Sequence, residues 1–342
     1  MRVKAMRWLI GGLIALGVPA GAQLLPGLGS GPLGGLTGPL LGPPTAAPAP
    51  MLGAPVARSL DWLGGIARDA SPASLLTLRR ERLRALVDDY PRELDTDDHG
   101  NPIRRGEIVG IGLSPRSLAK ALAAGFSLLR REAVSGIGID LTVLAPPKHE
   151  HARDAIGKLR KLDPDGDYTL DPVYQPAYAT LAPSEGKAAR HGGSGGGAPI
   201  GLIDGGVGAH PAFKAVSIEQ RGFAGDPKPS GHGTAVASLL VGHDGAFSGA
   251  APGNPLLVAD VYGGSPANGS AVAILRAMGW LASRGARVVN ISLVGPPNPL
   301  LERGVRALQA RGVIVVAAVG NDGPAAPPQY PASYPGVIAV TG

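Results

Sequence analysis

The second half of the chain is constrained most by a regular alternation of short apolar runs and amphipathic stretches that begins at residue 199. Near-continuous apolar strands alternating with helices are typical of a parallel sheet that helices cover on both faces. The pattern therefore predicts an α/β domain with a doubly wound parallel sheet over residues 199–342. The predicted strands are 199–204, 255–262, 287–293 and 313–319, and the predicted helices are 231–240, 271–284 and 300–311.

Two residues near the start of this domain are candidates for chemistry. Asp204 ends the first apolar run, where ligand crevices of open α/β sheets lie. His232 falls in the first turn of an apolar helix, between Gly231 and Gly233, which allow other backbone to come close. A single histidine is most often a surface or satisfied residue, so the carboxylate upstream is what favours a functional site. A carboxylate that orients an imidazole is the arrangement a nucleophilic hydrolase needs.

The segments IGLIDGGVGAHPAF and SGHGTAVASLLVG resemble the aspartate and histidine motifs of the subtilisin-like serine peptidases, the peptidase S8 family, in that family's order Asp, His, Ser. The resemblance implies a serine endopeptidase with polypeptide substrates. In it Asp204 orients His232, and His232 acts as general base and then as general acid. Ala235 stands where many members carry a second histidine, but that histidine is outside the triad.

Two later strand ends also match the family. Ser292, Leu293, Val294 and Gly295 correspond to the strand that pairs with substrate backbone, although Val294 stands where a glycine is usual. We do not expect Ser292 to be the nucleophile, because its surroundings match the substrate-binding strand and not a nucleophile turn. Asn321 corresponds to the asparagine of the oxyanion hole, and the three motifs together favour this role over an ordinary turn.

The family's Gly-Thr-Ser nucleophile segment is expected several tens of residues after Asn321 and does not occur in this sequence. We therefore expect residues 199–342 to be the N-terminal part of a subtilisin-like domain, C-terminally incomplete, and inactive as it stands. The alternative is an inert pseudoenzyme or an inhibitor-like binding protein that acts through the region before the sheet.

The region before the sheet has a pattern of its own. Residues 75–90 predict an amphipathic helix whose charged residues are solvated. From about 107 to 174 the order is strand, helix, strand, strand, helix, strand, which is the α+β ferredoxin-like unit. The resemblance implies that residues 76–183 are a propeptide, an intramolecular inhibitor whose tail, 172–183, lies in the cleft. The polar, glycine-rich stretch 184–198 predicts a flexible linker.

The N-terminus has the pattern of an export signal. Three cations precede an apolar run, and Ala20-Gly21-Ala22 supplies small residues for cleavage, so we predict a signal peptide over residues 1–22. The alternative, a membrane anchor, is disfavoured because the run is shorter than the roughly 20 residues a bilayer requires. Residues 23–75 are rich in Pro and Gly and predict an unstructured spacer. We expect an exported protein, periplasmic or extracellular.

No cofactor is expected. Asp95, Asp97, Asp98 and Asn101 resemble part of a calcium loop, but Gly106 occupies the position of its last carboxylate, so a polar turn is favoured. Structural calcium remains open, with no site assignable. His149, His151 and His191 lack companions at metal-ligand spacing, and no metal site is predicted.

Two other classes of function are disfavoured. A net charge of +6 without a dense basic face, together with 4% aromatic residues, gives no sign of nucleic-acid binding. GGVGAH could be taken as a phosphate loop, but it lacks the third glycine and continues into His210-Pro211 instead of a helix. The chain has no cysteine, which excludes disulfides and thiolate chemistry and leaves the compartment open.

Overall fold

The structure is a computed structural model that describes residues 71–177, 196–323 and 325–341. The predicted signal peptide 1–22, the spacer as far as residue 70, most of the linker and the end of the predicted tail lie outside the described residues, as does His191.

The N-terminal unit is built from three helices and six strands. In chain order they are α1 (Pro72–Asp89), β1 (Leu94–Thr96), β2 (Pro102–Ile111), α2 (Pro115–Ala123), β3 (Ser127–Val134), β4 (Ile139–Ala145), α3 (Ala152–Leu162), β5 (Tyr168–Pro172) and β6 (Gln175–Pro176). Strands β5, β2, β4 and β3 lie side by side in that order, each antiparallel to its neighbour, and β1 pairs with β2. This is the ferredoxin-like arrangement that the sequence predicts.

The two faces of this antiparallel sheet bury different partners. Ile108 and Leu144 point towards α2 and α3, where they pack with Leu159. Val109 and Val143 point to the opposite face and join the core of the second region. Side chains alternate along a strand, so the same strands cover the helices of the unit with one face and the second region with the other. The unit therefore packs on the second region through its sheet.

The second region contains a six-stranded sheet. Its elements are β7 (Ile200–Asp204), β8 (Ile218–Gly222), α4 (Gly231–Val241), β9 (His243–Asp244), β10 (Phe247–Ser248), β11 (Leu256–Asp260), α5 (Ala271–Ser283), β12 (Val288–Ile291), β13 (Leu293–Val294), α6 (Pro299–Gln309), β14 (Ile314–Ala318) and β15 (Ile338–Val340). The sheet order is β15, β14, β12, β7, β11, β8, and every pair is parallel. Apart from the short pairs β9–β10 and β13–β6, the region is the predicted parallel sheet.

Helices cover both faces of the parallel sheet. Leu202 of β7 packs with α4, through Ala237 and Val241. Ile203, the next residue along β7, belongs to the larger core that contains α5 and α6. A strand buried on both faces carries apolar residues at nearly every position, which explains the apolar run that ends at Asp204.

Some elements depart from the sequence pattern. The α1 helix begins at Pro72, capped by the Ser71 hydroxyl, so it includes the last residues assigned to the spacer. The sequence pattern predicts a helix over residues 149–162, but α3 begins at Ala152, and His149 has a positive φ of 67°. Strand β8 was not predicted, because it is a largely exposed edge strand with polar side chains. Within the described part of the chain, no helix is both long enough and apolar enough to cross a membrane.

Candidate active site

Asp204 lies at the carboxyl end of β7, between β11 and β12. Its side chain is buried, with 1% of the residue exposed, and Oδ1 accepts the backbone N–H of Gly205 at 2.6 Å. A carboxylate in this position has lost most of its water, so the fold must supply partners for it. One partner is the backbone N–H of Gly205, and the other is the imidazole of His232.

Glycines bring the histidine helix against this strand end. A Cβ on Gly205 would lie 2.5 Å from the Ser230 hydroxyl, and a Cβ on Gly233 would collide with the carbonyl oxygen of Gly205. Ser230 caps α4, since its Oγ accepts the N–H of Gly233 at 2.9 Å. The glycines that flank the motifs therefore set the distance between the carboxylate and the first turn of α4.

His232 sits in that first turn and meets Asp204 directly. Its Nδ1 lies 2.8 Å from Oδ2 and 3.0 Å from Oδ1 of the carboxylate, and 14% of its side chain is exposed. The structure thus brings together the two residues that the sequence pairs. Their roles in a reaction stay predictions at this point.

Burial and pairing act against each other in this pair. Burial raises the pKa of Asp204 above its usual value, although its hydrogen bond to His232 lowers it. For His232, burial lowers the pKa, but the hydrogen bond and charge of Asp204 outweigh it, so the pKa is raised. Nε2 of His232 lies 3.0 Å from the carbonyl oxygen of Ala177. Both ring nitrogens face acceptors, which is the environment of a doubly protonated imidazolium.

The segment that reaches His232 is the end of the N-terminal unit. Strand β6 pairs antiparallel with β13, with Gln175 opposite Val294 and Pro176 opposite Leu293. Beyond it, the N–H of Ala177 donates to the carbonyl oxygen of Ser292 at 2.9 Å. The residues predicted to pair with substrate backbone therefore pair with the chain's own tail.

Tyr174 anchors this tail, and sequence reasoning missed it. It is fully buried, its hydroxyl donates to Pro296 O at 2.7 Å, and its carbonyl oxygen accepts the Tyr262 hydroxyl at 3.0 Å. A Cβ on Gly295 would collide with the Tyr174 ring, so this glycine leaves the space in which the ring lies. The sequence gives no local signal for Tyr174, because its contacts come from segments far along the chain.

Asn321 follows β14 in an exposed turn between Gly320 and Gly323, both of which have positive φ. Because β14, β12 and β7 are parallel neighbours, this turn lies at the same end of the sheet as Asp204, where the strands have their carboxyl ends. The next residue, Asp322, is bound by α1: its carboxylate lies 3.1 Å from Nε of Arg79 and 2.8 Å from a guanidinium nitrogen of Arg82. The expectation that the charged residues of α1 are solvated is wrong for these two arginines.

The remaining polar candidates occupy turns. Asp97 accepts the N–H groups of His99 and Asn101, at 2.9 and 2.8 Å, as in a polar turn. His151 precedes α3, with its Nδ1 2.8 Å from Asp95. In the GGVGAH segment, His210 accepts the N–H of Ala212 and begins a short 3₁₀ turn. The described residues contain no cluster of three or more His, Asp or Glu side chains that could hold a metal ion.

Sequence comparisons agree with the geometry. Residues 195–342 match the sequence model described as the subtilase family, Peptidase_S8. Subtilisin Savinase of Lederbergia lenta is 35% identical over 157 residues, which cover 43% of this chain and 56% of that protein. Thermitase of Thermoactinomyces vulgaris is 34% identical over 155 residues, covering 43% of this chain and 55% of its own.

A structural comparison covers more of the chain. The crystal structure of fervidolysin from Fervidobacterium pennivorans, described as a keratinolytic enzyme related to subtilisin, matches with a TM-score of 0.55 at 18% identity. The match covers 69% of this chain and 43% of fervidolysin, so the likeness in fold extends beyond residues 195–342 into the N-terminal unit.

A buried aspartate paired to a histidine at the carboxyl ends of a parallel α/β sheet is an arrangement that nucleophilic hydrolases use. Residues 195–342 are similar in sequence to the subtilase family, the subtilisin-like S8 peptidases. The chain spans about half of the length of the curated relatives it matches.

Proposed function

We propose that the chain is the precursor of a serine endopeptidase in which Asp204 and His232 are two members of an Asp/His/Ser triad. One observation carries the proposal. Nδ1 of His232 faces a buried carboxylate, while Nε2 faces the carbonyl oxygen of Ala177 in a segment held as an added β-strand. An imidazole that a carboxylate orients through one nitrogen, and whose other nitrogen meets a peptide group, is placed for the proton transfers of acyl transfer.

In the proposed reaction, Nε2 of His232 takes the proton of a serine hydroxyl as the serine oxygen bonds to the peptide carbon. Asp204 stays ionised and stabilises the imidazolium through Nδ1. The proton then passes from Nε2 to the leaving amine as the C–N bond breaks, and water releases the acyl group by the same steps. Asn321 would donate its amide to the oxyanion, a contribution of about 3 to 4 kcal/mol in subtilisin, from which the principle is drawn.

The serine itself is proposed to be encoded beyond Gly342. The Gly-Thr-Ser motif of the family does not occur in this sequence. Ser292, the serine at a strand end, accepts a hydrogen bond from Asn290 Nδ2 at 2.8 Å and offers its carbonyl oxygen to the tail. These contacts favour a substrate-pairing role for Ser292 over a nucleophilic one.

The N-terminal unit is proposed to inhibit the enzyme in cis. Its tail fills the positions that a substrate backbone needs: Ala177 donates to Ser292 and its carbonyl oxygen faces His232. This support leads us to propose self-cleavage on the carboxyl side of Ala177. Export, predicted from residues 1–22, belongs to the same proposal, since a peptidase held inactive until it leaves the cell needs such an inhibitor.

The test uses protein made from the complete reading frame that contains these residues. It would be treated with a fluorophosphonate probe, assayed on a quenched fluorogenic peptide, and analysed by mass spectrometry for an N-terminus that begins after Ala177. We expect labelling, hydrolysis, and a loss of at least about a thousandfold in His232→Ala. The matched control is His243→Ala, an exposed histidine on β9, which is expected to keep its activity within about twofold.

Hydrolysis that survives His232→Ala would overturn the proposal. So would a protein that neither reacts with the probe nor cleaves the peptide. In the second case the whole chain would be tested as an inhibitor of a purified subtilisin. Inhibition there would favour the alternative, a binding protein that acts through its N-terminal unit.

A further inference from the structure

Asp260 is a second buried carboxylate next to the candidate active site. It ends β11 and is the register partner of Asp204 on the neighbouring strand, so the two side chains leave the sheet on the same face. The residue is fully buried. In the described part of the chain its carboxylate accepts three backbone N–H groups: Lys228 on Oδ2 at 2.8 Å, and Tyr262 and Gly263 on Oδ1 at 2.8 and 2.9 Å.

The first of these bonds leads to the histidine. Lys228 lies immediately before the start of α4, whose cap Ser230 donates its N–H to the carbonyl oxygen of Gly206 at 2.7 Å. The segment from Lys228 to Ser230 is thereby held between the ends of β11 and β7. His232 is in the next turn, so its position depends on this segment.

The other two bonds lead to the bound tail. Oδ1 holds the turn that carries Tyr262, and the Tyr262 hydroxyl donates to the carbonyl oxygen of Tyr174 in the bound tail. One carboxylate therefore connects the segment that carries the base with a side chain that holds the bound peptide. A buried carboxylate is costly unless its oxygens are hydrogen-bonded, and here each oxygen bonds a different segment of the chain.

We propose that Asp260 is a positioning residue. Through Oδ2 it fixes the position of the start of α4, and therefore the position of His232 relative to Asp204. Through Oδ1 it fixes the position of Tyr262 relative to the bound tail. The inference rests on the proposed peptidase function. Asp260 acts through other groups, because the hydrogen bonds that the structure gives its carboxylate go to Lys228, Tyr262 and Gly263 and not to His232 or to the described part of the tail.

The charge of Asp260 adds a second effect. Like burial, which is the main cause, it raises the pKa of Asp204, although its contribution is smaller than the lowering by His232 and by the N–H of Gly205. Other charged residues lie on the neighbouring elements: Arg221 on β8, and Asp226 and Lys228 on the segment before α4. These residues keep their charges when Asp260 alone is replaced, so they add no change of charge of their own to the measurement.

The decisive variant is Asp260→Asn. Its Oδ1 can still accept from Tyr262 and Gly263, whereas its Nδ2 would meet the N–H of Lys228, donor against donor. We expect kcat on the fluorogenic peptide to fall about 5- to 20-fold with KM within twofold, because the histidine side is disturbed and the tyrosine side is kept. Asp260→Ala, which loses both sides, is expected to lower kcat and raise KM.

A measurement that needs no hydrolysis accompanies the kinetics. In the 342-residue chain, the imidazole of His232 would be titrated by NMR. Removing a negative charge one strand from Asp204 is expected to lower the His232 midpoint by about half a pH unit. The matched control is Asp163→Asn, the same chemical change at a carboxylate that is 1% exposed and paired with Lys120 in the N-terminal unit. It is expected to leave the midpoint unchanged.

The two readouts separate this inference from the function it rests on. A shifted midpoint, combined with no peptidase activity in the protein made from the complete reading frame, would support the arrangement and reject the function. A folded Asp260→Asn with unchanged midpoint and unchanged kcat would overturn the inference. If Asp260→Asn does not fold, Lys228→Pro replaces it, because proline lacks the N–H donated to Oδ2. Its control is Lys228→Ala, which also loses the lysine side chain but keeps that N–H, and equal kcat values in these two variants would overturn the inference in the same way.

Discussion

Replacing Asp171 with asparagine is expected to change how the stability of the chain depends on pH. Asp171 lies on β5, fully buried where this strand meets the start of α5. Its Oδ1 accepts the N–H of Val272 at 3.0 Å, while its Oδ2 has no hydrogen-bond partner among the described residues. Burial, and next the charge of Glu107, raises the pKa of Asp171 to about 7.

The sign follows from proton binding. Between its ordinary pKa of 3.8 and about 7, the folded state keeps a proton that the unfolded chain releases. The stability due to this proton is complete below pH 3.8 and is lost as the pH rises through 7. At about 1.4 kcal/mol per unit over roughly three units, the loss would be about 4 kcal/mol, and relaxation of the buried site would reduce it to about 2 to 4 kcal/mol.

Urea unfolding of the wild type and Asp171→Asn, measured from pH 4 to pH 8, tests this value. The variant cannot ionise, so its stability relative to the wild type is expected to rise by about 2 to 4 kcal/mol over that range. The control is again Asp163→Asn. The pKa of Asp163 is lowered by its hydrogen bond to Lys120, so its difference from the wild type is expected to be flat above pH 4. An equally flat difference for Asp171→Asn would refute the reasoning.

Two further changes test how the N-terminal unit is attached. Arg79→Gln combined with Arg82→Gln is expected to lower the free energy of unfolding, measured in urea, by about 1 to 2 kcal/mol. The reason is that the Asp322 side chain is only 8% exposed and would lose both of its cations. The loss should largely disappear when Asp322→Asn is present as well. Gly136→Ala is expected to lower the free energy of unfolding by about 2 to 4 kcal/mol, since its Cβ would collide with a backbone carbonyl oxygen of α5. Its control is Gly157→Ala, on α3 with open space around it, which should be neutral or stabilising.

The parallel sheet could be predicted because its central strands are buried on both faces. β7, β11 and β12 need apolar side chains at nearly every position, and such runs are visible in the sequence. β8 escapes the same reasoning, since an edge strand with exposed polar side chains has no comparable pattern. Asp204 and His232 could be paired because each lies at one end of a recognisable element and matches a family motif.

What could not be predicted are contacts between segments far apart in the chain. β6 has only two residues and is a strand solely because β13 pairs with it, more than a hundred residues later. Asp260 looks in the sequence like any acid at a strand end, and only the fold shows that its two oxygens hold two different loops. Residue type and spacing carry no information about such partners.

Helix α1 shows how this limit bears on function. Its arginines suit a solvated face, and the sequence contains nothing that opposes that interpretation. In the fold, Arg79 and Arg82 pair with Asp322, the residue after Asn321, while Leu75 packs against Gly323 on the other side of the same turn. A turn proposed to hold the oxyanion is thus fastened to the unit proposed to inhibit the enzyme. Release of the tail from β13 would therefore leave the turn still bound, because the helix and the tail hold the cleft through separate contacts.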